Sequence, residues 1–242
     1  QPSGHLLFLD PHSALLKTVG EKKMPLIWLA IHENEFEAVK ALKWAVTQYG
    51  GKGFRVVNLK KKNQRILTGF DGKRKYVYDP NRIFSREGKI KNLHHYNLFL
   101  LPRNRAVLKN ALDHLKKVKE RFLKALKLSP EKVLISLHNN LNRGRFSLKL
   151  YQKKKVMGFQ VYQNPAMHPK NFILVTREKD FEALQKRKIN AVLQAPHSAR
   201  TNDGSLADYC KVHDLAYFNI ETRFGDTEIQ KKLIAEVMSL LG

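Results

Sequence analysis

Four side chains able to bind metal or move protons stand where apolar runs of this 242-residue chain stop. His32 and Glu35 follow the run Leu26 to Ile31 in "AIHENEFEA", His138 ends "LISLHNN", and Glu221 ends "YFNIET". His32 and Glu35 lie three positions apart, so a helix starting directly after the strand would point both to one side of its first turn. A distant His138 would complete a three-ligand set. Two imidazoles, one carboxylate and an open position describe a catalytic zinc site rather than a closed structural one, although the same donors accept other divalent metals. Zinc in such a site lowers the pKa of its water toward about 7 and polarises a carbonyl. "HxxE" alone is a weak pattern, and each residue has a blander reading. Glu33 and Glu35 suit a helix start, His138 suits a satisfied core histidine, and Glu221 suits an ion pair with Arg223.

A second cluster is "YDPNRIF", residues 78–84. Asp79 and Pro80 are turn formers, but Arg82 also offers a planar fork to a carboxylate, with Asn81 adding an amide donor. Other candidates are weaker. His94 and His95 lack a paired carboxylate and sit in what reads as a polar linker; His197 follows a strand end and competes for a place in the pocket. "GGKG" at 50–53 lacks the Ser/Thr and glycine spacing of a phosphate loop, and helix termination explains Gly50 and Gly51. Ser136 precedes His138 within one strand, and nothing marks it as a nucleophile.

The elements that must position these groups follow from periodicity. Apolar runs at 26–31, 54–59, 133–137, 172–175, 191–194 and 215–220 read as strands buried on both faces. Helical patterns cover 34–48, 103–127, 178–187, 205–213 and 226–241, the last with Asp226 as N-cap. Asp71-Gly72 between alternating runs signals a hairpin. The expectation is an α/β chain forming a single domain over 1–242, with a mixed, mostly parallel central sheet flanked by helices. In such sheets ligands gather at the carboxyl ends of the strands, where His32, Glu35, His138 and Glu221 all fall.

In order and context, these motifs resemble the zinc metallocarboxypeptidases of the carboxypeptidase A type, and more closely their compact bacterial branch with its succinylglutamate desuccinylase and aspartoacylase relatives. The likeness covers about residues 24–240 and implies a phosphorylase/hydrolase-like fold. It also implies that His32, Glu35 and His138 hold one zinc ion and that Asp79 accepts from the second nitrogen of His32. Asn81 and Arg82 would hold a substrate carboxylate, Arg65 would polarise the scissile carbonyl, and Glu221 would be the general base. The chain departs from the digestive enzymes at Asn139 and Asn140, where they carry Ser-Tyr. It also has only Tyr209 near the place of their mobile tyrosine. Peptides or N-acyl amino acids with a free carboxylate are the implied substrates, cell-wall peptides among them.

Composition adds a separate signal. Forty-five Lys and Arg stand against twenty-one Asp and Glu, a net charge of +24. That field favours anionic partners, such as an anionic cell-envelope polymer. No nucleic-acid motif is present, so a purely polyanion-binding role competes on charge alone. No run approaches the roughly 18–20 apolar residues of a membrane span, and the lone Cys210 excludes an internal disulfide. The chain starts at Gln1 without methionine, which leaves room for a removed export signal and a periplasmic or secreted location.

Overall fold

The computed structural model describes residues 4–71, 74–97, 105–140, 144 and 146–242. Its strands are β1 (His5–Asp10), β2 (Ser13–Val19), β3 (Leu26–Ala30), β4 (Lys52–Asn58), β5 (Leu67–Asp71), β6 (Arg74–Tyr78), β7 (Val133–Asn140), β8 (Gln160–Tyr162), β9 (Phe172–Val175), β10 (Ala191–Leu193) and β11 (Ala216–Arg223). The helices are α1 (Phe36–Tyr49), α2 (Arg86–Tyr96), α3 (Arg105–Leu126), α4 (Leu148–Lys153), α5 (Glu178–Lys186), α6 (Leu206–Val212) and α7 (Thr227–Leu241). Nine strands form one mixed sheet in the order β1-β2-β4-β3-β7-β11-β9-β10-β8, and β5 pairs β6 in a separate hairpin. The central strands β4, β3, β7 and β11 are mutually parallel. Antiparallel strands flank them.

Every residue of β3 is buried, because helices cover both faces of the sheet. Leu26, Trp28 and Ala30 pack with α1, α5 and α7, whereas Ile27 and Leu29 pack with α3, α4, α6 and the β5–β6 hairpin. This alternation of period two is what a three-layer α/β domain demands of a central strand. α1 stops at Gly50, whose φ of +80° and N–H bond to the Val46 carbonyl (3.0 Å) close the helix. A Cβ there would lie 2.4 Å from the Lys22 carbonyl oxygen.

Two elements depart from the expectation. The segment bearing His94 and His95 is not a linker but α2, started by Ser85, whose hydroxyl accepts from the Gly88 N–H at 2.9 Å. Its buried residues are Gly88, Lys89, Asn92 and Leu93, so hydrophobic periodicity leaves no trace of it. The N-terminal β1–β2 hairpin extends the sheet by pairing Ser13 to Val19 with Asn58 to Lys52. Among the described residues no helix is long and apolar enough to cross a membrane.

Candidate metal centre and its cavity

The site grows out of the sheet in rows. Parallel pairing sets Tyr217 beside Leu134, Asn219 beside Ser136 and Glu221 beside His138, on strands about 4.8 Å apart. Tyr217 and Leu134 belong to the core. Two residues further along, the same sheet face turns polar at Ser136 and Asn219, and two further it carries His138 and Glu221. Each residue of the outer row rests on the one beneath it: the Ser136 hydroxyl lies 3.0 Å from His138 Nε2, and the Asn219 amide donates to Glu221 Oε1 at 3.0 Å.

His32 lies two residues past β3, and a tight turn, with the Glu35 N–H donating to the His32 carbonyl at 3.3 Å, brings in Glu35. Glu35 occupies the N-cap position of α1 rather than its first turn. His32 Nδ1 sits 2.9 Å from Glu35 Oε1, and His138 Nδ1 sits 3.1 Å from Glu35 Oε2. One ligand atom from each of the three lies within 4.8 Å of the others. Ligand atoms around a tetrahedral zinc ion with bonds near 2.0–2.1 Å stand about 3.3 Å apart, so the three need only small adjustment to share one. Their outer atoms are already engaged. His32 Nε2 meets Asp79 Oδ1 at 3.0 Å, and the Asn139 N–H donates to Glu35 Oε2 at 3.2 Å. Both histidines therefore present Nδ1 inward with Nε2 occupied, the arrangement that fixes the tautomer of metal-binding imidazoles. The residues present fit a zinc-type ion.

Asp79 follows β6 and is fixed by its surroundings. Its carboxylate accepts from the Asn81 N–H at 2.7 Å, and the Asn92 side chain bonds both its N–H and its carbonyl at 2.9 Å. Arg65 reaches across from the β4–β5 connection, with Nη1 2.7 Å from Glu35 Oε1 and Nη2 3.6 Å from Asp79 Oδ2. Asn81 and Arg82 form the short 3-10 turn after Asp79. The Asn81 amide oxygen accepts from the Leu206 N–H at 3.1 Å. His32, Glu35, Arg65, Asn81, Arg82 and His138 line a cavity of about 470 Å³, together with Glu221, Tyr151 and Asp203.

Charge in this cluster is strongly coupled. Burial alone would raise the Glu35 carboxyl, but His32 and His138 hold it well below the usual range. Burial opposes the charging of His32, and Asp79 and Glu35 outweigh it, raising the imidazole to about 9. Asp79 is held low, burial being outweighed by His32 and then Arg65. Glu221 behaves differently. Burial raises its carboxyl above the ordinary value, and attraction to His138 does not cancel that rise.

Arg223 turns away to Asp226 (3.0 Å), so Glu221 is not its ion-pair partner. His197 binds Asp208 at 3.0 Å and does not line the cavity. Tyr209 packs against Phe84 and His213, while the tyrosines that line the cavity are Tyr151 of α4 and Tyr217 of β11. Tyr151 and Asp203 carry no recognisable motif. Ser136 and Asn219 do leave a signal, as polar residues two positions before a functional group inside apolar strands.

No family model and no curated protein matches the chain. Solved structures do. They include N-formylglutamate amidohydrolase from Ralstonia eutropha JMP134, at 12% identity and TM-score 0.39, covering 93% of this chain and 96% of that one. The succinylglutamate desuccinylase/aspartoacylase from Rhodobacter sphaeroides matches at 11% identity and TM-score 0.43, over 100% of this chain and 65% of that one. An aspartoacylase family protein from Mesorhizobium loti matches at 14% identity and TM-score 0.38, over 100% and 71%. The chain spans less than two thirds of the Rhodobacter protein's length. At these identities and scores, the roles of individual residues rest on the geometry described above.

Proposed function

We propose that the chain hydrolyses an amide bond near a free carboxylate, with His32, Glu35 and His138 holding one zinc ion. The observation that carries this reading is the placement of Glu221 beside His138, at the floor of a cavity where two Nδ1 atoms and a carboxylate converge. When bound, the ion supplies a Lewis acid and a water of lowered pKa. Glu221, kept basic by burial, takes a proton from the attacking water and delivers it to the leaving nitrogen. Arg65, already cationic within the cavity, donates to the carbonyl oxygen as negative charge develops there. Asn81 and Arg82 orient the substrate through its carboxylate, so that part of the barrier is removed by positioning. Peptides and N-acyl amino acids both meet this requirement.

The test is elemental analysis of protein purified without chelator or a histidine tag, comparing wild type with His138→Ala. About one zinc per chain in wild type, lost in the variant along with amidase activity on N-acyl amino acids, is the expected result. Absence of metal from both proteins, with none taken up on addition of zinc, would refute the reading.

A further inference from the structure

Arg82 does not face the cavity as a free cation. Its Nη1 lies 3.0 Å from Asp203 Oδ2, and both side chains line the same space. Asp203 is held there by its loop. Its other oxygen accepts from the Ser205 N–H at 2.9 Å, and the residues on either side are tied to the segment that follows Arg82. Asn202 accepts from the Ser85 hydroxyl at 2.6 Å and from Lys91 Nζ through its carbonyl at 2.9 Å. Gly204 accepts from the Phe84 N–H at 3.0 Å. It also packs so close to Gly88 that a Cβ on Gly88 would lie 2.2 Å from Gly204 Cα. The two glycines let the backbones touch, and the contact fixes Asp203 on Arg82.

A carboxylate in this position works against recognition of a simple anion. The cavity is also lined by Arg65, Lys154 and Arg200, in keeping with a chain of net charge +24. An anionic substrate arriving at Arg82 would meet a tethered competitor at high effective concentration and a like charge beside its own. A substrate carrying an ammonium next to its carboxylate meets neither penalty. Its carboxylate takes the guanidinium edge left over by Asp203 and the free amide NH₂ of Asn81, while its ammonium bonds Asp203, a carboxylate with acceptor positions to spare. Cation and anion in the protein are adjacent, so their complement must be adjacent too, as they are on the α-carbon of an amino acid.

Building on the hydrolase reading above, we infer that Arg82 and Asp203 together bind the zwitterionic end of an amino acid. The amide to be cut is then formed by another amine of the same residue, as in a side-chain-acylated diamino acid. In the reaction the acyl carbon–nitrogen bond breaks and water's oxygen joins the acyl carbon. Both of its protons pass through Glu221 to the departing side-chain nitrogen, which leaves as an ammonium. The products are a carboxylate and the free diamino acid.

The test uses two substrates that differ only in the ammonium: Nε-acetyl-lysine and N-acetyl-6-aminohexanoate, with the zinc-loaded full chain. The expected kcat/KM ratio favours the lysine derivative by roughly tenfold or more, as befits one charge-assisted contact. Asp203→Asn, which keeps an oxygen for the Ser205 N–H, brings that ratio near one. Calorimetric binding of both compounds to zinc-loaded Glu221→Gln protein follows the same ratio, independently of turnover. A wild-type ratio of one or less, or a ratio unchanged by Asp203→Asn, overturns the inference. Efficient cleavage of Nα-acyl amino acids alongside such a result leaves the hydrolase reading standing. Failure to cut any amide sinks both.

Discussion

The molecule contains two buried networks built from a carboxylate, histidine and further polar groups, and they differ in geometry. One joins His32, Glu35, Asp79 and His138. The other surrounds Asp10, which is 3% exposed and ties β1 to the β5–β6 hairpin and α3. Asp10 accepts from the His12 N–H at 2.7 Å and the Tyr78 hydroxyl at 3.3 Å, and His114 Nε2 lies 3.4 Å away. Both networks hold a carboxyl below its ordinary range against the opposing effect of burial. Burial and a shifted carboxyl therefore do not separate a reacting group from a structural one. Convergence does. Both nitrogens of His114 are engaged, one by Asp10 and one by the Tyr76 hydroxyl, whereas two Nδ1 atoms crowd the single carboxylate of Glu35 at the wall of a cavity.

The largest effect should come from Glu221, the proposed general base beside the proposed metal ligands. Glu221→Gln is expected to lower kcat by roughly 10²–10⁴-fold, the usual contribution of a general base, with zinc content unchanged by elemental analysis. Stability should move the other way. The folded carboxyl sits above its unfolded value, so the native state holds the proton more tightly, and stability falls as pH rises through the window between the two. Above that window the penalty is fully present, and there the metal-free glutamine variant should resist denaturant better than metal-free wild type. A variant that is less stable and still active would place Glu221 with Asp10, among the structural carboxylates.

Matched substitutions sharpen the contrast further. Asp79→Asn should weaken zinc binding by about 10–100-fold, as loss of the carboxylate charge behind a metal-binding histidine does. Asp10→Asn should leave zinc affinity unchanged and lower folding stability by about 1–3 kcal/mol at pH 7, through damage to a buried hydrogen-bonded carboxylate. The folded Asp10 carboxyl lies below its unfolded value, near 3.9. Its stabilisation is thus present above that value and lost as pH falls toward the folded pKa, so the gap between wild type and Asp10→Asn should narrow on acidification. Denaturant titrations at pH 7 and in the acid range, with a zinc-competition assay on both variants, would check this pair.

The same comparison explains what the sequence could disclose. His32, Glu35, His138 and Glu221 were legible because each sits where an apolar run stops, and parallel topology then makes strand ends neighbours. The strands β3, β7, β9 and β11 were legible for the same reason. α2 was not, because a helix that buries Gly88, Lys89, Asn92 and Leu93 has no apolar stripe to reveal it. Asp203 was not, because its partner lies more than a hundred positions earlier and the contact depends on Gly88 and Gly204 touching. The Asp10 network was missed altogether. Its members Asp10, Tyr78 and His114 are spread over three elements, with no spacing rule linking them.

The smallest expected effects belong to the row of residues one step below His138 and Glu221. Ser136 and Asn219 occupy equivalent positions on neighbouring strands, yet their substitutions should be read by different instruments. Ser136→Ala removes the partner of His138 Nε2 and leaves that nitrogen buried without one, so zinc affinity should fall by about tenfold, at the weak end for such supporting contacts. The acid limb of the pH–activity profile should stay in place. Asn219→Ala removes a donor that lowers the Glu221 carboxyl, so its pKa rises further and the acid limb moves to higher pH. Zinc content should not change. If both substitutions shifted zinc affinity and neither moved the pH profile, the two strands would be supporting one metal centre only, and Glu221 would lose its separate role.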